Sequence, residues 1–209
     1  YSELAITLFN FWSLKILLPI KVIFLILAFS PRLKLKVKSK RFFITGGTGT
    51  LGKALVSKIL DNGGIPIIYS RDEGKQALIY GQDKDVKCII GDIRDYDKLY
   101  VSMKKERPDI VIHTAALKRI DDMEYHPDEC IKTNIYGTSN ICKSMQTYSI
   151  PRIIYLQTAL CYGTPTTNPI PVQHGCNPIT SYGVSKLAGE KYLMLAKLPF
   201  VSFSISLLE

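Results

Sequence analysis

The chain has 209 residues, 46% of them apolar and 22% charged, the balance of a folded domain with a substantial core and not of a disordered segment. Its formal charge of +9 points to nucleic acid only until the charges are located: residues 1–41 hold eight basic side chains and one acid, Glu3, while the other 168 hold 19 and 17. The excess sits in an N-terminal leader, so the domain proper offers no basic face to a phosphate backbone, and nucleic acid is excluded as the main partner.

Residues 5–30 are rich in Leu, Ile, Phe and Val but broken by Lys15, Pro19 and Lys21, short of the roughly 20 apolar residues a simple spanning helix needs. Pro31 to Arg41 then carries six basic residues and no acid. An apolar stretch followed by a basic one suits a membrane-surface anchor over residues 5–41, at the cytoplasmic face; the competing reading is the tail of a preceding domain. Residues 1–40 are therefore set apart from a domain over 41–209. No cleavable signal peptide is expected. Because the chain begins at Tyr1 and ends at Glu209 in a strand-like run, it reads as a piece of something longer. Five cysteines without a C-x-x-C pair predict neither a metal site nor a disulfide framework, and a reducing cytoplasm is the simplest setting.

From Arg41 onward short apolar runs alternate with helical periodicity. Strands are predicted at 42–45, 65–70, 86–90, 110–113, 153–157 and 200–206. Helices are predicted at 50–61, 72–80, 96–105, 127–149 and 181–197, with a proline-rich loop over 159–180. Six nearly all-apolar strands separated by helices imply an α/β fold with a doubly wound parallel sheet of the Rossmann type, covered on both faces.

Chemistry is placed at the carboxyl ends of these strands. In Thr45-Gly-Gly-Thr-Gly-Thr-Leu-Gly52, Gly46 permits the turn, Gly49 lets the backbone approach a pyrophosphate, and Gly52 allows helix to pack on strand. Thr50 and Leu51 open the helix, whose unpaired N–H groups and positive dipole end suit phosphates. Ser70 and Arg71 end the second strand with a hydroxyl and a guanidinium, which favour the 2′-phosphate of NADP over NAD; Asp72 keeps the NAD alternative open, or caps the next helix. Asp92, with Ile93 beside it, is expected to accept from an adenine amino group. Ala115 and Ala116 leave room for the dinucleotide. Asp95 and His113 read as a cap and a satisfied strand-end histidine, Asn134 as structural, and Cys161 as packing.

Tyr182-Gly-Val-Ser-Lys186 supplies the proton chemistry. A phenol is a poor base at its ordinary value of about 10. Lys186, one helical turn on, is expected to favour the phenolate by its charge, so that Tyr182 takes a proton from a substrate hydroxyl while hydride leaves for the nicotinamide. Thr158, ending the fifth predicted strand, is expected to bond the reacting oxygen.

Together Thr45–Gly52, Gly91–Asp95, His113–Ala116, Thr133–Thr138, Thr158 with Tyr162-Gly163, and Tyr182–Lys186 resemble the extended short-chain dehydrogenase/reductase family, in its branch of nucleotide-sugar epimerases and dehydratases. The segment from Ala116 to Asn134 is most similar to a polysaccharide-biosynthesis group that includes UDP-N-acetylglucosamine 4,6-dehydratases and tends to use NADP. The resemblance implies a nucleotide-sugar substrate, a homodimer, and a further C-terminal domain gripping the sugar, without which this stretch would be inactive. The dehydratases follow the equivalent of Thr158 with acid and base residues; Ala159 and Leu160 stand here and transfer no proton. The expectation is therefore a 4-epimerase, with a 4,6-dehydratase or a non-catalytic dinucleotide-binding module as alternatives.

Overall fold

The computed structural model describes residues 16–17, 37–167, 170–171 and 174–205. The leader expectations for residues 5–36 thus fall outside the described residues, except for Ile16–Leu17, a short strand β1. The strands that follow are β2 (Arg41–Thr45), β3 (Ile65–Ser70), β4 (Lys87–Ile90), β5 (Ile110–His113), β6 (Ile153–Thr158) and β7 (Phe200–Ile205). Every pairing is parallel, in the order β1-β7-β6-β5-β2-β3-β4. The strand order reverses between β2 and β5, whose register runs from Phe42 opposite Ile110 to Thr45 opposite His113. At such a reversal the two flanking loops part and leave a crevice at the carboxyl ends of the strands.

The apolar strands are explained by the two faces they serve. Successive side chains alternate across a sheet, and here both sides are covered by helices, so most strand positions are apolar and the polar ones, such as Thr45, His113 and Gln157, are buried. Phe43, Ile67, Tyr69, Val111 and Tyr155 point to one side and pack with Leu99, Met103, Ile141, Met145 and Leu193. Phe42, Ile44, Ile68 and Ile112 point to the other and meet Leu55, Val56 and Ile59. Phe43 and Ile44 are fully buried, each contributing about 1.5–3 kcal/mol relative to an exposed side chain.

The helices are α1 (Thr50–Asp61), α2 (Glu73–Tyr80), α3 (Tyr96–Glu106), α4 (Ile120–Tyr125), α5 (Pro127–Cys130), α6 (Gly137–Thr147) and α7 (Ser181–Leu195). Asp72 caps α2 by accepting from Lys75 N (2.8 Å), and Asp95 caps α3 by accepting from Lys98 N (3.0 Å). Two expectations are corrected. The helix predicted over 127–149 is interrupted by a π-helical turn at Ile131–Tyr136 and ends at Thr147. Asn134 lies in this turn, its side chain directed inward to bond the Leu117 backbone and the Ser185 hydroxyl. The six-residue α4 has no strong sequence signal; it is fixed by tertiary contact, Glu124 accepting from Ser181 N (2.7 Å) and Ser181 Oγ (3.1 Å) at the start of α7. The loop predicted over 159–180 begins with a 3₁₀ turn at Ala159–Tyr162.

Candidate active site

The glycine turn between β2 and α1 is tight enough to dictate its sequence. Gly46 sits at φ +73°, and a Cβ there would stand 2.8 Å from Ala115 N and 2.9 Å from Thr114 Oγ1. A Cβ on Gly52 would lie 2.6 Å from both Gly46 O and Gly47 Cα. Neither neighbour is a flexible side chain, so any larger residue forces the turn and the helix apart. Gly49 differs: its missing side chain faces open space, with only Gly46 O near, at 3.3 Å. Thr50 and Leu51 begin α1, where Gly49 provides no side-chain cap and the first turn holds no acid. The cradle therefore fits a pyrophosphate, which would find uncapped N–H groups at a positive helix end.

Beyond β3, the Ser70 hydroxyl is buried and lies 2.8 Å from Gln76 Nε2. Arg71 is exposed and stands 3.8 Å from Asp92. Asp72 is engaged in its capping bond and in an ion pair with Lys75 (2.9 Å). Asp92, expected to meet an adenine, spends its carboxylate inside the protein, accepting from Arg94 N (2.9 Å) and Arg94 Nε (2.8 Å). Burial alone would raise its pKa, but the bonds from Arg94 and the charges of Arg94 and Arg71 hold it below the ordinary value. Ile93 is buried beneath Gly137. Ala115 donates its N–H to Thr45 Oγ1 (3.3 Å), and Ala116 follows in the same segment.

His113 is a satisfied core histidine, as its place at a strand end predicted. Thr138 Oγ1 gives its hydrogen to Asn134 O (2.7 Å) and so accepts from His113 Nε2 (2.9 Å), leaving Nδ1 to accept from Thr45 Oγ1 (2.7 Å). Burial, aided by the charge of Lys186, lowers its pKa well below the usual value and keeps the ring neutral.

The second half of the site lies where β6 meets α7. Thr180 caps α7 by accepting from Gly183 N (3.1 Å), which sets the first turn and with it Tyr182. Thr158 Oγ1 accepts from Leu160 N (3.3 Å), and the Thr158 side chain is near enough to the Tyr182 phenol to favour its ionised form. Asn134 Oδ1 accepts from Leu117 N (2.9 Å), while its Nδ2 donates to Leu117 O (3.1 Å) and Ser185 Oγ (2.9 Å). Ser185 in turn donates to Tyr182 O (2.8 Å), with Cys130 Sγ 3.0 Å from its hydroxyl. The π turn thus ties the loop after β5 to the Tyr182 turn, a use that π bulges often have.

Burial dominates the electrostatics of Tyr182 and Lys186. Burial pushes the phenol up to about 12, Cys130 adds to this, and the Thr158 side chain opposes it. Burial also pulls Lys186 down to about 7, against the opposing pull of Glu190 and Cys130. Its Nζ sits 4.0 Å above the Tyr155 ring. Lys186 therefore does not by itself bring the phenol toward neutrality, because the same burial that joins the two groups disfavours both charged forms.

The glycine turn, with Thr158, the half-buried Tyr182 and the buried Lys186 at the carboxyl ends of the strands, is the arrangement expected of the short-chain dehydrogenase/reductase class. The comparisons carry this further: a family model described as polysaccharide biosynthesis protein matches residues 42–201, and the chain belongs to that family. It is 38% identical over 162 residues to an inverting UDP-N-acetylglucosamine 4,6-dehydratase of Campylobacter jejuni, covering 75% of this chain and 43% of that one. It is 35% identical over 165 residues to a UDP-glucose 4-epimerase of Rickettsia bellii, with coverages of 76% and 43%. Among solved structures, Bordetella bronchiseptica WbmG in complex with NAD and UDP superposes with a TM-score of 0.72 at 34% identity, over 79% of this chain and 52% of that one. The chain spans about half the length of these relatives.

Among the described residues no group of histidine, cysteine and acidic side chains could hold a metal ion, and no helix is long and apolar enough to cross a membrane. Sequence reasoning passed over Gln157, Ser185, Cys130 and Glu190. Their only signals were an amide inside an apolar strand and a carboxylate four residues beyond Lys186.

Proposed function

We propose that the protein containing this chain is a nucleotide-sugar 4-epimerase of polysaccharide or surface-glycan biosynthesis, with NADP as its coenzyme. The observation that carries the reading is the placing of Thr158 against the Tyr182 phenol at the end of β6, with Lys186 buried one turn beyond. In this reading Tyr182, as phenolate, takes the proton of the sugar C4 hydroxyl; C4–H leaves as hydride and C4–O becomes a carbonyl. NADP, when bound, supplies the hydride acceptor and a positive charge that favours the phenolate. The 4-keto sugar then turns over, hydride returns to its other face, and Tyr182 gives the proton back, so atoms and electrons balance. Thr158 orients the reacting oxygen.

Ala159 and Leu160 support epimerisation over elimination, since neither side chain can move a proton beside Thr158. The relation to a 4,6-dehydratase favours elimination as the second reading. Incubating the full-length protein with UDP-sugars and following products by NMR separates the two: a C4 epimer is expected, and a 4-keto-6-deoxy sugar would overturn the choice. NADP is favoured over NAD because Asp72 is engaged as a helix cap, while the exposed Arg71 guanidinium remains to meet a 2′-phosphate. Titration with both coenzymes tests this, and tighter NAD binding would reverse it. The apolar-then-basic order of residues 5–41 supports attachment at the cytoplasmic face of a membrane, tested by detergent dependence with and without residues 1–40. A homodimer is supported by the family resemblance, and sedimentation would test it.

A further inference from the structure

The least expected group near the site is Glu190. It lies in the interior of α7, its side chain fully buried, one helical turn beyond Lys186 and on the same face. A carboxylate is almost never buried so completely unless it is paired or hydrogen-bonded. Gln157 supplies the hydrogen bond: its Nε2 donates to Glu190 Oε2 (3.0 Å) and to Lys186 O (3.3 Å), while its Oε1 accepts from Thr158 N (3.0 Å). Tyr155 adds a second tie, donating from its hydroxyl to Lys186 O (2.9 Å) while its ring lies under the Lys186 ammonium. One buried amide thus links the residue expected to orient the substrate, the helix turn that carries Lys186, and a carboxylate.

We propose that Glu190 is a positioning residue which, through this brace, keeps Lys186 in its ammonium form beside Tyr182 and fixes Thr158 relative to both. The proposal rests on the catalytic reading of Tyr182 and Lys186 given above. The physical need is plain: an ammonium carried into a dry interior reverts to the amine unless an opposite charge or a π face stays near. The titratable groups around Lys186 are Glu190 on α7, Cys130 on α5, His113 on β5 and Tyr155 on β6, with Tyr182 one turn earlier on α7. His113 is neutral and, if charged, would repel the ammonium. Tyr155 offers its ring, and its hydroxyl is held as a donor to backbone. Glu190 is the acid of this set, and its pull opposes the burial that drives Lys186 down to about 7.

The test follows the Lys186 side chain directly, in the full chain labelled with ¹³Cε,¹⁵Nζ-lysine and without coenzyme, its signal assigned through Lys186→Arg. In Glu190→Gln the titration midpoint of Lys186 is expected to fall by about one pH unit or more, a tenfold loss of proton affinity. In Glu190→Asp, which keeps the charge, it is expected to stay within about half a unit, since the opposite charge is what favours the ammonium. A midpoint unmoved in Glu190→Gln, or moved equally in Glu190→Asp, would overturn the proposal and leave Glu190 as a packing element. Should Glu190→Gln fail to fold, Glu190→Met, neutral and of similar length, carries the same reading. Because the midpoint is measured without turnover, it stands or falls separately from the epimerase reading, which Tyr182→Phe addresses.

Discussion

The two halves of the site are built on opposite principles. The β2–α1 turn is defined by what is missing: no Cβ at Gly46 or Gly52, no side-chain cap on α1, no acid in its first turn. The region around β6 and α7 is defined by what has been buried: Thr158, Lys186, Gln157 and Glu190 are all nearly or fully withdrawn from solvent. Bare backbone binds through geometry that the local sequence dictates, whereas buried polar side chains work through pairings across 29 to 55 residues of chain. The first half should fail by steric clash and the second by loss of charge or proton transfer, and substitutions in each can separate these modes.

The largest effect is expected at the buried half. Tyr182→Phe in the full-length protein should lower turnover by about 10²–10⁴-fold, the usual contribution of a positioned acid–base group, while coenzyme affinity stays within about twofold. Steady-state kinetics beside a fluorescence titration would check this, and unchanged turnover would remove Tyr182 as the base. At the bare half, Gly52→Ala places a methyl against Gly46 O and Gly47 Cα and should cost about 2–3 kcal/mol of stability together with dinucleotide binding. Urea unfolding and the same titration read both; a variant that binds normally would show that the turn yields more easily than its contacts indicate.

Arg71→Ala tests the bare half from its outer side, just after β3. Loss of a charged hydrogen bond to a 2′-phosphate is worth about 1.5–3 kcal/mol, so NADP affinity should fall at least about tenfold while NAD affinity barely moves. Equal losses for both coenzymes would place Arg71 elsewhere than at the ribose.

The smallest effect is a pH dependence of stability. Lys186 is lowered from 10.5 to about 7, so between those values the unfolded chain holds a proton that the folded protein lacks, and stability rises with pH. The slope cannot exceed about 1.4 kcal/mol per pH unit, that of one proton. It should appear from pH 7 to about 10 as a gain of the wild type over Lys186→Met in urea unfolding. Above 10 the trend reverses, because Tyr182 is raised from 10.0 to about 12 and keeps its proton in the folded state while the unfolded chain loses it. A parallel pH course for the two proteins would show that Lys186 titrates normally.

Much of this was legible in the chain. Alternation of short apolar runs with helical periods gave the six main strands, and glycine spacing after the first gave the dinucleotide turn. The four-residue step from Tyr182 to Lys186 placed both groups on one face of a helix. What could not be read were the interactions that cross the fold. Asp92 is expected to meet a ligand, and nothing in the sequence signals that Arg94 folds back onto it and also pairs with Glu129 (2.8 Å). The interrupted helix at 131–136 looked continuous because Asn134 is tolerable on any helix face until Leu117 and Ser185 draw it inward. The α4 helix left no trace because its anchor, Ser181, lies 57 residues from Glu124.

By itself, the sequence determined the doubly wound sheet, the bare glycine turn and the four-residue spacing of the candidate proton-transfer side chains, because each follows from short-range periodicity or from residues that only one backbone shape admits. Only the tertiary structure decided the charge state of those side chains. Burial moved Tyr182 and Lys186 away from their ordinary values and set Gln157 and Glu190 against Lys186, and desolvation is a property of the surrounding fold that no run of neighbouring residues encodes.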